Sequence, residues 1–247
     1  MDSADGGQRV PATPQAGGGP GRVTWLPAAL RRGLFRQLVR RPGASNQLLD
    51  AVLGLDVDRV SRQLAVQLAA GRRADWGEEY VWQEPGETGH PSTSYQDLVT
   101  LFDHLALPAG SRFVDLGCGF GRAGFVAALL CQDVCFVGYE LVAERVAAAQ
   151  RAAARLGLRQ LVFETADLSR VQPVDADVYY VFCSFREDTG RRVLGLLQAV
   201  AQRRPIQLVV NTAMYGFEPE ATPWLRLVAQ VGIFSHYASV AVHAAAD

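Results

Sequence analysis

Apolar positions follow a helical period through residues 25–40, where Leu26, Leu30, Leu34, Phe35 and Leu38 share one side and Arg31, Arg32, Arg36 and Arg40 take the others. The same spacing returns over residues 56–69, with Val57, Val60, Leu64 and Leu68 in one stripe, and over residues 94–105, with Leu98, Leu101, Phe102 and Leu105. Beyond that point short β-prone runs at 112–116, 135–140, 160–164, 177–183 and 206–211 are separated by helical stretches over 120–130, 142–156 and 187–201. Strands alternating with helices predict a parallel, doubly wound α/β sheet. The end departs from this rhythm: residues 224–231 and 234–243 are two β-prone runs joined by a short turn at Gly232. Residues 1–21 are rich in Gly, Pro, Gln and Ala without apolar periodicity and are expected to form a disordered tail.

The chemistry concentrates in residues 113–124, FVDLGCGFGRAG, where a short apolar strand delivers Asp115 into a glycine-rich turn at the head of a helix. Gly119, Gly121 and Gly124 satisfy G-x-G-x-x-G, the fingerprint of a turn that seats a pyrophosphate on a helix N-terminus. Asp115 separates two readings. A buried carboxylate repels phosphates where water is scarce, but suits a sulfonium cofactor with a free amino group. The run CFVGYE ends on Glu140, about 20 residues beyond the glycines, the spacing at which an acid reaches ribose hydroxyls. An acid in that place also suits a helix N-terminus.

Charge and composition narrow the options. The 247 residues carry a net charge of −1, and all 24 Lys+Arg residues are Arg. A Schiff-base lysine and a phosphate-loop lysine are therefore excluded. The four cysteines form no C-x-x-C pair, no apolar stretch reaches membrane-span length, and Asp2 and Asp5 stand where a secretory leader would be basic. These features lead us to expect a cytoplasmic protein with reduced thiols, and no metal site. Residues 25–40 are a basic amphipathic helix; packing on the core is the favoured role, with contact to a membrane surface or nucleic acid as the alternative. Residues 72–95 gather Trp76, Glu78, Glu79, Tyr80, Trp82, Glu84, Glu87 and His90. Aromatic faces and acids of that kind either hold an amine, through cation–π attraction and charge pairing, or anchor the helices to the sheet.

Asp115-x-Gly117-x-Gly119-x-Gly121 resembles motif I of the class I, seven-β-strand S-adenosylmethionine-dependent methyltransferases. The resemblance implies a Rossmann-like, mainly parallel seven-stranded sheet closed by an antiparallel hairpin, with an N-terminal all-helical layer. It divides the chain into the tail, a helical layer over residues 22–84 and an S-adenosylmethionine-binding domain over residues 85–247. It also implies that Asp115, Gly117, Gly119 and Gly121 hold the methionine end, Glu140 the ribose, and Ala166 with Asp167 the adenine. Residues 85–95, PGETGHPSTSY, are loosely similar to the entry segment of Dot1-like and related protein lysine methyltransferases, which adds Glu87, Thr93 and Tyr95. At the fourth strand the chain has FCSF, whereas families that methylate base amino groups show Asn or Asp followed by Pro-Pro and an aromatic. That departure argues against methylation of adenine or cytosine amino groups and leaves Phe185 as a wall of the transfer site; nucleic acid is not the expected acceptor. The expected acceptor is an amine nitrogen, in a protein or a small molecule, because burial alone can deprotonate an amine. An oxygen acceptor would need a base, for which His90 and Tyr95 are the nearest candidates. A non-catalytic module binding the same cofactor is the remaining alternative.

Overall fold

The computed structural model describes residues 28–71, 92–184, 186–211 and 222–240, with side chains from residue 32 onward. The tail, most of the aromatic and acidic link, Glu87, His90 and Phe185 lie outside the described residues.

Seven strands form one sheet in the order β3-β2-β1-β4-β5-β7-β6. Strands β1 (Arg112–Leu116), β2 (Cys135–Glu140), β3 (Leu161–Thr165), β4 (Val178–Val181) and β5 (Gln207–Asn211) are parallel. β7 (Phe234–Ser239) runs antiparallel to both β5 and β6 (Leu225–Val231), as the terminal hairpin requires. The order reverses between β1 and β4, and in open α/β sheets the crevice beyond the strand ends at such a reversal is where ligands bind.

The strands read as near-continuous apolar runs because both faces are covered. One face packs on α4 (Tyr95–Leu105), α5 (Arg122–Leu130) and α6 (Ala143–Leu156), and the other on α7 (Glu187–Ala201). Successive side chains of a strand point to opposite faces, so Phe113 joins the first core while Val114 and Leu116 join the second. Across the first face runs a chain of rings: Phe163 to Phe136 at 5.5 Å, Phe136 to Phe113 at 6.0 Å, Phe113 to Tyr180 at 6.0 Å and Tyr180 to Phe234 at 5.8 Å. This aromatic row ties five strands together and places Tyr180 beside the reversal.

The N-terminal layer holds α1 (Ala28–Arg40), α2 (Asn46–Leu53) and α3 (Val57–Ala69). α1 packs on the core through Phe35 and Val39, and Arg36 donates to Asp103 of α4 from Nε at 3.1 Å and from Nη2 at 2.5 Å. α2 was not foreseen, although its ends carry ordinary signals. The Ser45 hydroxyl accepts from the Leu48 N–H, and Gly54 closes the helix in a left-handed conformation. β4 is shorter than its apolar run, since Cys183 turns to φ +48°. Among the described residues no helix is long and apolar enough to cross a membrane.

Candidate active site

β1 ends in the predicted glycine turn, and its backbone is already committed within the protein. The N–H groups of Gly117 and Cys118 both donate to the Tyr139 carbonyl, at 2.9 and 2.8 Å, and Gly121 N–H donates to the Cys118 carbonyl. Gly119 N–H donates to Glu140 Oε2 at 2.9 Å. Gly117, Gly119 and Gly121 all have positive φ, which an L side chain adopts only with strain. The glycines also serve packing more than sequence reasoning allowed. A Cβ on Gly117 would lie 2.3 Å from Ser184 Cβ, and one on Gly121 2.3 Å from the Phe163 ring.

Asp115 is buried, and its Oδ1 has no hydrogen-bond partner. Burial, reinforced by the charge of Glu140, holds its carboxyl well above the usual range. An orphaned acid on a cavity wall is a receptor for a donor, and a cationic amino group answers both its charge and its missing bond. A buried acid beside the turn is a poor neighbour for a pyrophosphate, which is in keeping with the sulfonium reading of the glycine fingerprint.

Glu140 is tied down by the protein on both oxygens. Oε1 accepts from the Val142 N–H at 2.9 Å, at the N-terminus of α6, and lies 3.5 Å from Arg145 Nη1. Ala166 N–H donates to the Glu140 carbonyl, while Asp167 accepts from the Ser169 N–H and hydroxyl and pairs with Arg170 at 3.1 Å. These three residues sit at the ends of β2 and β3, beside the turn.

A cavity of about 340 Å³ opens between the turn and the N-terminal helices. Its walls include Asp115, Gly117, Cys118, Gly119 and Arg122 from the turn, Thr93, Tyr180 and Phe182, and Asn46, Gln47, Asp50, Asp58 and Ser61 from α2 and α3. Glu140, Ala166 and Asp167, which the resemblance assigns to the ribose and adenine, are not among its walls. Thr93 is on the wall, with its hydroxyl hydrogen-bonded to Tyr180 Oη. Tyr95 is corrected: it is fully buried and donates its hydroxyl to Asp50 Oδ1 at 2.7 Å, and burial beside Asp50 raises its pKa well above the phenol value. It cannot act as a base at the cavity. The aromatic walls on the described part of β4 and its exit are Tyr180 and Phe182, which sequence reasoning missed.

Residues 107–204 match a protein family described as a methyltransferase domain. The matched residues run from β1 through α7 and include Asp115, the glycine turn and Glu140, so this segment resembles a methyltransferase domain. The fold of the domain is shared with YhhF of Escherichia coli at 16% identity and a TM-score of 0.50, over 62% of this chain and 90% of that one. An O-methyltransferase of Thermotoga maritima (14% identity, TM-score 0.48, 64% and 69% of the two chains) is also similar. So is an RNA methyltransferase of Salinibacter ruber in complex with S-adenosyl-L-homocysteine (18%, 0.47, 63% and 97%). No curated protein matches the sequence.

The residues of the turn fit S-adenosylmethionine, the cofactor that the resemblance implies. Asp115 would take the amino group, the positive-φ turn would bring backbone close to the methionine end, and Glu140 would face the ribose. The group itself supplies an electrophilic methyl on a sulfonium.

Proposed function

We propose that the chain transfers a methyl group to an amine nitrogen of a molecule or side chain able to enter the cavity beneath α2 and α3. The observation that carries this reading is the make-up of the walls. Among the described residues they hold amides, hydroxyls and no histidine, and their carboxylates are otherwise placed: Asp50 is paired with Arg122, Asp115 faces the cofactor's amino group in this reading, and Asp58 is exposed. The phenol that reaches the cavity, Tyr180, is pushed far up in pKa by burial and by Asp115. An oxygen acceptor needs a group to remove its proton. An amine loses its proton on leaving water, since burial disfavours the ammonium. Asp58 of α3 supplies a carboxylate that draws an ammonium toward the entrance. The protein's remaining task is alignment in a site from which water is excluded.

A cavity of about 340 Å³, part of which the methionine end of the cofactor would fill, is within the range of pockets that enclose small ligands, which favours a small amine over a large macromolecular surface. The loose likeness of residues 85–95 to the entry segment of protein lysine methyltransferases keeps a side-chain amine in the test. We place the protein in the cytoplasm, with the tail, helical layer and catalytic domain divided near residues 21 and 84. Methyl-labelled S-adenosylmethionine should be offered with three acceptor classes: small amines and lysine peptides, catechols and carboxylic acids, and structured RNA. Label in amines alone supports the proposal; label in an oxygen acceptor or in RNA overturns it.

A further inference from the structure

A buried polar network stands on the cavity wall that neither cofactor chemistry nor proton transfer uses. Arg122, the first residue of α5 and next to Gly121 of the turn, grips Asp50 of α2 with both arms of its fork: Nε to Oδ1 at 2.9 Å and Nη2 to Oδ2 at 2.5 Å. Its Nη1 donates to the Ser92 hydroxyl and, at 3.4 Å, to the Thr93 carbonyl. Its guanidinium lies 5.4 Å from the Tyr95 ring centre, and the Tyr95 hydroxyl donates to the same Asp50. Side-chain exposure is 10% for Arg122 and 4% for Asp50.

We infer that Arg122 and Asp50 are positioning residues that hold α2 as a roof over the cavity and make its closure depend on occupancy of the glycine turn. Three observations lead there. An eight-residue helix is marginal by itself, so outside anchors decide where α2 sits. Leu49 and Leu53 seat α2 on the core, and polar anchors fix its place over the cavity: Asn46 Oδ1 accepts from the Tyr95 N–H, Asp50 takes Arg122, and the Leu53 carbonyl accepts from Arg155 Nη2 at 2.6 Å. The helix is bracketed by Gly43 and Gly54, both at positive φ, which leaves turns at both ends that can absorb a change of backbone angle. A buried ion pair is seldom the most stabilising filling for such a place; one that joins α2 to the cofactor turn is a means of fixing position. A ligand that touches both the turn and α2 shifts the roof toward the closed state by its differential affinity for that state.

The inference rests on the cofactor reading, and hydrogen exchange separates the two. The probe is S-adenosylhomocysteine, with binding followed by calorimetry and amide exchange followed over residues 46–53. In the wild type, bound ligand should slow exchange of these amides about tenfold or more. Asp50→Asn should still bind the ligand and lose that protection, and in a working assay its acceptor KM should rise about tenfold with kcat changed less. Asp50→Glu should restore part of both effects. Tyr95→Phe keeps the core filled, removes one bond to Asp50 and should give a smaller loss in the same direction, which covers the case of a poorly folded Asp50→Asn. Absence of ligand binding by the wild type would count against the cofactor assignment and remove the inference with it. Binding without slower exchange at 46–53, or equal protection in all variants, would overturn the roof alone.

Discussion

Asp115→Asn should make the free protein more stable and the cofactor complex weaker. The unfolded chain ionises Asp115 near 3.8, whereas the folded chain holds its proton to a higher pH because burial and Glu140 oppose the charge. Below the unfolded value both states are protonated and the group contributes nothing. As pH rises through the window above it, the unfolded state sheds the proton first and stability falls; above the folded pKa the whole penalty is present. An amide of the same shape has no charge to bury, so the variant should lack this loss. Removing the charge is worth about 1.4 kcal/mol for each pH unit, up to the assay pH, by which the folded pKa exceeds the unfolded one, or about 2–4 °C in Tm per kcal/mol for a chain of this size. Binding should change the other way. A hydrogen bond to a charged partner contributes about 1.5–3 kcal/mol, so the variant should hold S-adenosylmethionine roughly 10–150-fold more weakly. Urea unfolding at pH 5 and pH 8 with calorimetric titration reads both quantities. A variant less stable than the wild type at pH 8, or one that keeps wild-type affinity, would refute the reasoning.

Three further expectations follow from the packing. Gly117→Ala forces a side chain at φ +98° and against Ser184, costing roughly 1–3 kcal/mol from the backbone strain alone; thermal unfolding should show the loss, and Ser184→Gly should recover the contact part of it. Phe113→Ala opens the centre of the aromatic row and should cost about 3–5 kcal/mol by urea unfolding. His236, which shares a 3.0 Å hydrogen bond with His104 and a 2.8 Å bond with Gln207, is held below its usual 6.5 by burial and by His104. Its neutral form therefore favours the fold fully above about pH 6.5, and that contribution should be lost as pH falls through the lowered value. The urea midpoint should drop between pH 7.5 and 5, and less in His236→Gln.

The sheet was legible because parallel strands buried on both faces announce themselves as apolar runs, and because each is followed by a helix with a clear stripe. α7 occupies residues 187–201 as its periodicity predicts. Asp115 and its turn could be read because one acid among glycines at a strand end has few physical uses. Glu140 was legible in position but not in its surroundings: that its carboxylate would brace Gly119 and the start of α6 depends on how β2 and the turn fold together. The roof was not legible. α2 has two turns, too few for a period to stand out, and only Ser45 and Gly54 marked it. With α2 unseen, Asp50 had no element to belong to, and its partner Arg122 lies 72 positions away. Tyr95 was expected to reach the site as a base and instead donates to Asp50 in the core, since a sequence does not show that a tyrosine hydroxyl points inward.

The most direct test of the account is a calorimetric comparison of three ligands with the wild-type protein: S-adenosylhomocysteine, its analogue lacking the α-amino group, and NAD. If Asp115 is the receptor for that amino group, S-adenosylhomocysteine should bind well, the deaminated analogue at least about tenfold more weakly, and NAD more weakly still. Equal binding of the first two, or preference for NAD, would contradict it.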